Sequence, residues 1–181
     1  MIWLVLGVLL WSAAHLFKRV APELRATWGE KGKGPIALAL LVSLVLMVVG
    51  YRMADGAVFW GRSPMLAGIN NLLMLVSIYF FAASGMKTRI TAKVRHPQLT
   101  GVKVWALGHL IVNGDVPSFI LFGGLMIWAV LEVVLINKIE PDWKKPTEFS
   151  TGKEIGAAVG TVLVFGVIAM IHIWLGYNPF G

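Results

Sequence analysis

Six apolar runs separated by short polar stretches make up most of this chain of 181 residues. The first, Ile2 to Phe17, is slightly short for a membrane span. The second runs from Pro35 to Gly50 and towards Ala54, and Pro35 suits a helix start because proline there loses no needed donor. The third is Pro64 to Ser84. The fourth, Gly101 to Asn113, is short and extends back to Pro97. The fifth is Pro117 to Ile136 and the sixth Ile155 to Gly176. A transmembrane helix needs about 20 mainly apolar residues. The pattern therefore predicts an all-α, polytopic membrane helical bundle of about six transmembrane helices, folded as a single domain over residues 1–181.

Charge supports six spans. Of sixteen Lys and Arg, fourteen fall in alternate connections. Lys18 to Gly34 carries Lys18, Arg19, Arg25, Lys31 and Lys33. Gly85 to Lys103 carries Lys87, Arg89, Lys93, Arg95 and Lys103. Asn137 to Glu154 carries Lys138, Lys144, Lys145 and Lys153, which leaves Arg52 and Arg62 for the opposite side. Basic residues in short loops stay cytoplasmic, so both termini are expected on the non-cytoplasmic side. A re-entrant fourth segment would leave five spans and break this alternation. Lys18 and Arg19 follow the first run instead of preceding it, the reverse of a secretory signal, so that run is expected to be a retained helix. The Pro141 and Pro146 stretch, with mixed charge, reads as an exposed connector.

Composition narrows the chemistry. The chain is 57% hydrophobic and 14% charged, where soluble domains carry about a quarter charged residues. The formal charge of +7 follows from the membrane-flanking loops, and nucleic acid is not expected as a partner. The absence of cysteine excludes disulfides, thiolate nucleophiles, iron–sulfur clusters and covalently attached c-type haem.

Four histidines are present: His15, His96, His109 and His172. Three lie in or beside apolar runs, where a polar group is costly and turns towards the bundle interior. A neutral imidazole bonded to a neighbouring helix is one reading. Imidazoles from facing helices holding a haem iron is the other. Ala13, Ala14 and Gly108 stand beside two of these histidines and suit either a macrocycle or plain helix packing. Glu132, inside the fifth run, calls for a structural ion pair or a position near the interface. Asn70 and Asn71 are candidates for interhelical hydrogen bonds. Asp115, after Asn113-Gly114, reads as a turn residue. The eight tryptophans read as interfacial anchors near span ends. Arg95 and His96, before Pro97, are placed to anchor at headgroup level or to bind an anionic cofactor group.

The block Val94-Arg-His-Pro-Gln-Leu-Thr-Gly-Val-Lys-Val-Trp-Ala-Leu-Gly-His-Leu-Ile-Val-Asn-Gly-Asp115 resembles the signature of the NnrU family of bacterial membrane proteins. Ala14 to Arg19 with Ala21-Pro22, and Phe122-Gly123-Gly124, resemble it too. The family takes its name from an association with denitrification and nitric oxide reduction. It is similar to the plastid zeta-carotene cis–trans isomerases, which hold haem b between two histidines. The resemblance implies haem b, the bacterial inner membrane and iron ligation by His109. His15, the nearest equivalent on an earlier helix, is implied as the other ligand, with Arg95 or Lys18 pairing with propionates. His172 is the alternative ligand by depth, since His109 stands about 18 Å from the cytoplasmic end of a helix begun at Pro97. The isomerases carry a cysteine three positions before their ligand, where this chain has Ala106.

Three functions follow: a haem-b membrane protein of nitric oxide and denitrification metabolism, a haem-dependent cis–trans isomerase of a polyene or lipid, and a non-catalytic assembly factor for a nitrogen-oxide reductase. The expected partners are membrane lipids, a hydrophobic small molecule or nitric oxide, and further copies of the chain.

Overall fold

A computed structural model describes residues 1–180. Helix α1 spans Ile2–Val20 and is followed by a short helix α2, Pro22–Thr27, and a 3-10 turn at Gly29–Gly32. Helix α3 is Lys33–Arg52, strand β1 Val58–Trp60 and helix α4 Pro64–Met86. Helix α5, Pro97–Val112, leads into strand β2, Gly114–Asp115. A single turn, α6 at Val116–Ser118, runs through a π-helical turn at Phe119–Gly123 into α7, Gly124–Ile139. Helix α8 is Thr151–Trp174, after an irregular connector. The protein is an all-α membrane bundle.

Every apolar run became a helix; most ends moved outwards by a few residues, while α5 and α8 stop one and two residues before the expected Asn113 and Gly176. The outward shift is physical: main-chain hydrogen bonding continues into the polar flank after hydropathy has fallen. Lys103 and Lys153, counted with the loops, therefore lie in the opening turns of α5 and α8. Proline at the start of α4 and α5 fits, because the first helical N–H groups have no intrahelical partner. Five stretches are long and apolar enough to cross a membrane: α1, α3 with its preceding turn, α4, α6 through α7, and α8. Helix α5 has 16 residues, roughly 24 Å of rise against a hydrocarbon core of about 30 Å. Its far end is closed by the antiparallel pair β1–β2, in which Val58 faces Asp115 and Trp60 faces Gly114. The Trp60 indole N–H donates to the Leu110 carbonyl at 3.1 Å, which satisfies one of the last carbonyls of α5.

The extensive helix contacts form a row: α3 on α1, α1 on α7, α7 on α5, α5 on α4, and α4 on α8. Small residues set the α1–α3 spacing. A Cβ on Gly50 would meet the Leu4 backbone, 2.7 Å from its Cα, and a Cβ on Gly7 would fall 2.8 Å from the Met47 nitrogen. Without a hydrophobic force between helices in lipid, such close backbone approach is what holds a pair together. The core lies between α1, α3 and α7, around Leu4, Val8, Met47, Leu125, Trp128 and Ala129.

One end of the row gathers the basic connections. There Arg19 reaches Glu140, the Arg89 backbone N–H donates to Glu154, and Arg95 binds the Glu140 and Pro141 carbonyls. At the other end Arg62 and Asn71 hold the C-terminal tail through the Asn178 and Pro179 carbonyls.

Candidate cofactor site

Helix α1 presents Trp11, His15 and Arg19 one turn apart on one stripe. Helix α7 presents Trp128 and Glu132 opposite them. The His15 ring packs against both indoles, with centroids 4.2 Å from Trp11 and 4.7 Å from Trp128. The indoles meet edge to face at 5.5 Å. One turn nearer the basic end, Arg19 Nε stands 3.6 Å from Glu132 Oε1, with side chains 18% and 13% exposed. The carboxylate inside the fifth run thus has the ion-pair partner that its position required.

His109, on α5, meets the same long helix from the other side. Its ring stacks on Phe122 at 4.6 Å and 24°, and lies 5.0 Å from Trp105. Phe122 belongs to the π turn, whose wider pitch re-aims side chains locally, a feature frequent at functional positions. Trp105 also packs on Phe122, and against the core that contains Trp128. His15 and His109 thus sit in two separate aromatic clusters, Trp11 with Trp128 and Trp105 with Phe122, that flank one apolar core. The two ring contacts, at Trp128 and Phe122, are separated by roughly 9 Å of rise along one helix.

The ring nitrogens are differentiated. His15 Nδ1 is 3.0 Å from the Trp11 carbonyl and His109 Nδ1 is 2.9 Å from the Trp105 carbonyl, each four residues back on its own helix. A carbonyl only accepts, so Nδ1 carries the proton and donates. In a neutral ring Nε2 then keeps its lone pair, and no protein group bonds Nε2 in either residue among the described residues. This is the tautomer and orientation that a metal-ligating imidazole needs. His172 has the same local bond, at 2.8 Å to the Ile168 carbonyl, but sits on α8 at the edge of the row, beyond α4. His96 caps the start of α5 and pairs with Asn137 Oδ1 at 2.8 Å.

Other expected residues went elsewhere. Arg95 binds carbonyls at the C-terminal end of α7, where a cation meets the negative end of the helix. Lys18 points away from the histidines into a surface cleft with Arg25. Gly108 does not open space beside His109: its face is filled by Met74 and Asn70 of α4. Ala13 faces outwards. Asn71 bonds to the tail carbonyl of Pro179 and not to a helix, and Asn70 Oδ1 is buried without a partner. Asp115 caps α6, accepting from the Ser118 N–H at 2.8 Å. Trp11, Trp105 and Trp128 correct the reading of tryptophans as interfacial anchors, because these three surround the histidines. A signal existed: Trp11-Ser-Ala-Ala-His15 and Trp105-Ala-Leu-Gly-His109 share a Trp-x-x-x-His spacing, one helical turn.

A sequence model of the NnrU protein family matches residues 3–179. The chain belongs to the NnrU family. No curated protein and no solved structure matches it. In this family member, no cluster of three or more His, Cys, Asp or Glu able to hold a metal is present among the described residues. Two imidazoles are nevertheless enough for haem iron, whose remaining ligands come from the macrocycle. The donor chemistry fits: two imidazoles on different helices, each with Nδ1 bonded to a carbonyl and Nε2 without a partner among the described residues. The apolar core between the two aromatic clusters would have to part for a flat ring to enter.

Proposed function

We propose that this NnrU family protein binds haem b in the bacterial inner membrane, with its basic end in the cytoplasm, and serves nitric oxide and denitrification metabolism. The observation that supports it is the paired geometry of His15 and His109. They reach one helix from its two neighbours, each with Nδ1 held by the carbonyl one turn back and Nε2 left free. Haem, when bound, supplies a redox-active iron with two axial positions. The chain's own residues orient the imidazoles through the Trp11 and Trp105 carbonyls and pack aromatic rings against each, with Arg19 one turn from His15. Arg95 donates to the Glu140 and Pro141 carbonyls, and Lys18 lines a cleft with Arg25.

A reduced-minus-oxidised absorption spectrum of protein purified from haem-sufficient cells tests this. The expected result is a bis-histidine b-type spectrum, lost in His15→Ala and His109→Ala and kept in His172→Ala. A folded protein with no visible absorbance overturns the reading and transfers the weight to a non-catalytic assembly role.

A further inference from the structure

A cleft of about 370 Å³ lies at the basic end where α1 meets α2, lined by Lys18, Pro22, Arg25, Ala26, Gly29 and Glu30. Two cations, Lys18 and Arg25, face one carboxylate, Glu30, so the lining is net positive. Glu30 is already paired with Lys33, 2.5 Å away. Lys18 has no hydrogen bond or ion pair among the described residues, whereas Arg19, the next residue, turns into the bundle towards Glu132 and Glu140. Arg25 is preorganised: its Nη1 donates to the Gly29 carbonyl at 3.0 Å, and Gly29 has φ of +49°, which glycine adopts without penalty. The guanidinium lies over Gly32, where a Cβ would fall 2.9 Å from Nη1.

The depth of the cleft is marked by its neighbours. Phe17 and Trp28 pack at 5.2 Å beside it, and Trp28 and Leu24 are 41% and 54% exposed. Exposed tryptophan next to a short helix with an apolar side chain belongs at the headgroup and acyl boundary. A guanidinium and an ammonium held at that level match a phosphate oxygen group, with acyl chains running down the outside of α1.

We propose that this cleft is a binding site for the headgroup of an anionic phospholipid, held by Lys18 and Arg25. The site is separate from the histidines and independent of haem. Dioleoyl phosphatidylglycerol is titrated into the full chain in neutral detergent, and bound lipid is counted by native mass spectrometry. Each basic residue near an anionic surface strengthens binding roughly fivefold, so Lys18→Ala with Arg25→Ala is expected to weaken it roughly 25-fold. Gly32→Ala, which displaces the guanidinium at unchanged charge, weakens it as well. Lys144→Ala with Lys145→Ala, in the exposed connector, leaves it unchanged, and dichroism confirms that all variants are helical. Three results overturn the proposal: equal losses in the two double variants, equal binding of dioleoyl phosphatidylcholine, or displacement of the lipid by inorganic phosphate at matched concentration.

Discussion

Arg19 of α1 and Glu132 of α7 stand 3.6 Å apart inside the bundle, one turn from His15. The same guanidinium reaches Glu140 at 2.7 Å, where the carboxylate is 58% exposed. One cation thus serves a sheltered and an exposed partner, and their energetic weights differ because solvent screens only the second.

Removing the sheltered partner should cost more. Glu132→Ala removes the sheltered partner while Arg19 keeps Glu140, and is expected to destabilise by about 1–2 kcal/mol. Glu140→Ala should cost less, because solvent screens this exposed pair. Thermal melts in detergent compare them; equal losses would show that Arg19 is held at the surface in both cases.

Stability should fall at acidic pH through Glu140. The hydrogen bond from Arg19, reinforced by its charge, holds this carboxyl below the ordinary carboxylate range. Its contribution is therefore full above about pH 4.3, the unfolded value, and is lost as pH falls through the lower folded value. A melting-temperature profile of Glu140→Gln should lack this part of the acid decline. A variant profile parallel to that of the parent at every pH excludes the pair as its source.

Gly50→Ala should separate α1 from α3. The added methyl meets the Leu4 backbone, which cannot rotate away, so a loss of roughly 1–3 kcal/mol is expected. Gly68→Ala and Gly160→Ala meet nothing within 4 Å and should be neutral or slightly stabilising. Chemical denaturation of the three variants in one detergent makes the comparison. An unperturbed Gly50→Ala would mean that the α1–α3 contact is looser than drawn.

The helices, their approximate ends and the collection of basic residues at one end were legible in the sequence. Each depends on local quantities: the length of an apolar run, a proline at its start, a charge beside it. Glu132 also announced its need for a cation, because an isolated carboxylate among apolar residues is costly in any arrangement. Its partner was not legible, since Arg19 is far from it along the chain.

Tertiary structure decided which helices adjoin. Membrane helices pair through small residues and individual hydrogen bonds, not through the hydropathy that defines them. The row places α7 between α1 and α5, so His15 and His109 meet one helix while His172, with the same local bond, is left at the edge. The same packing brings Trp128 to His15 and Phe122 to His109, and directs Arg95 to the end of α7 and Lys18 to a separate cleft. A side chain's depth follows from its position in its own run. What it faces follows from the shape of its neighbours, which no single run contains.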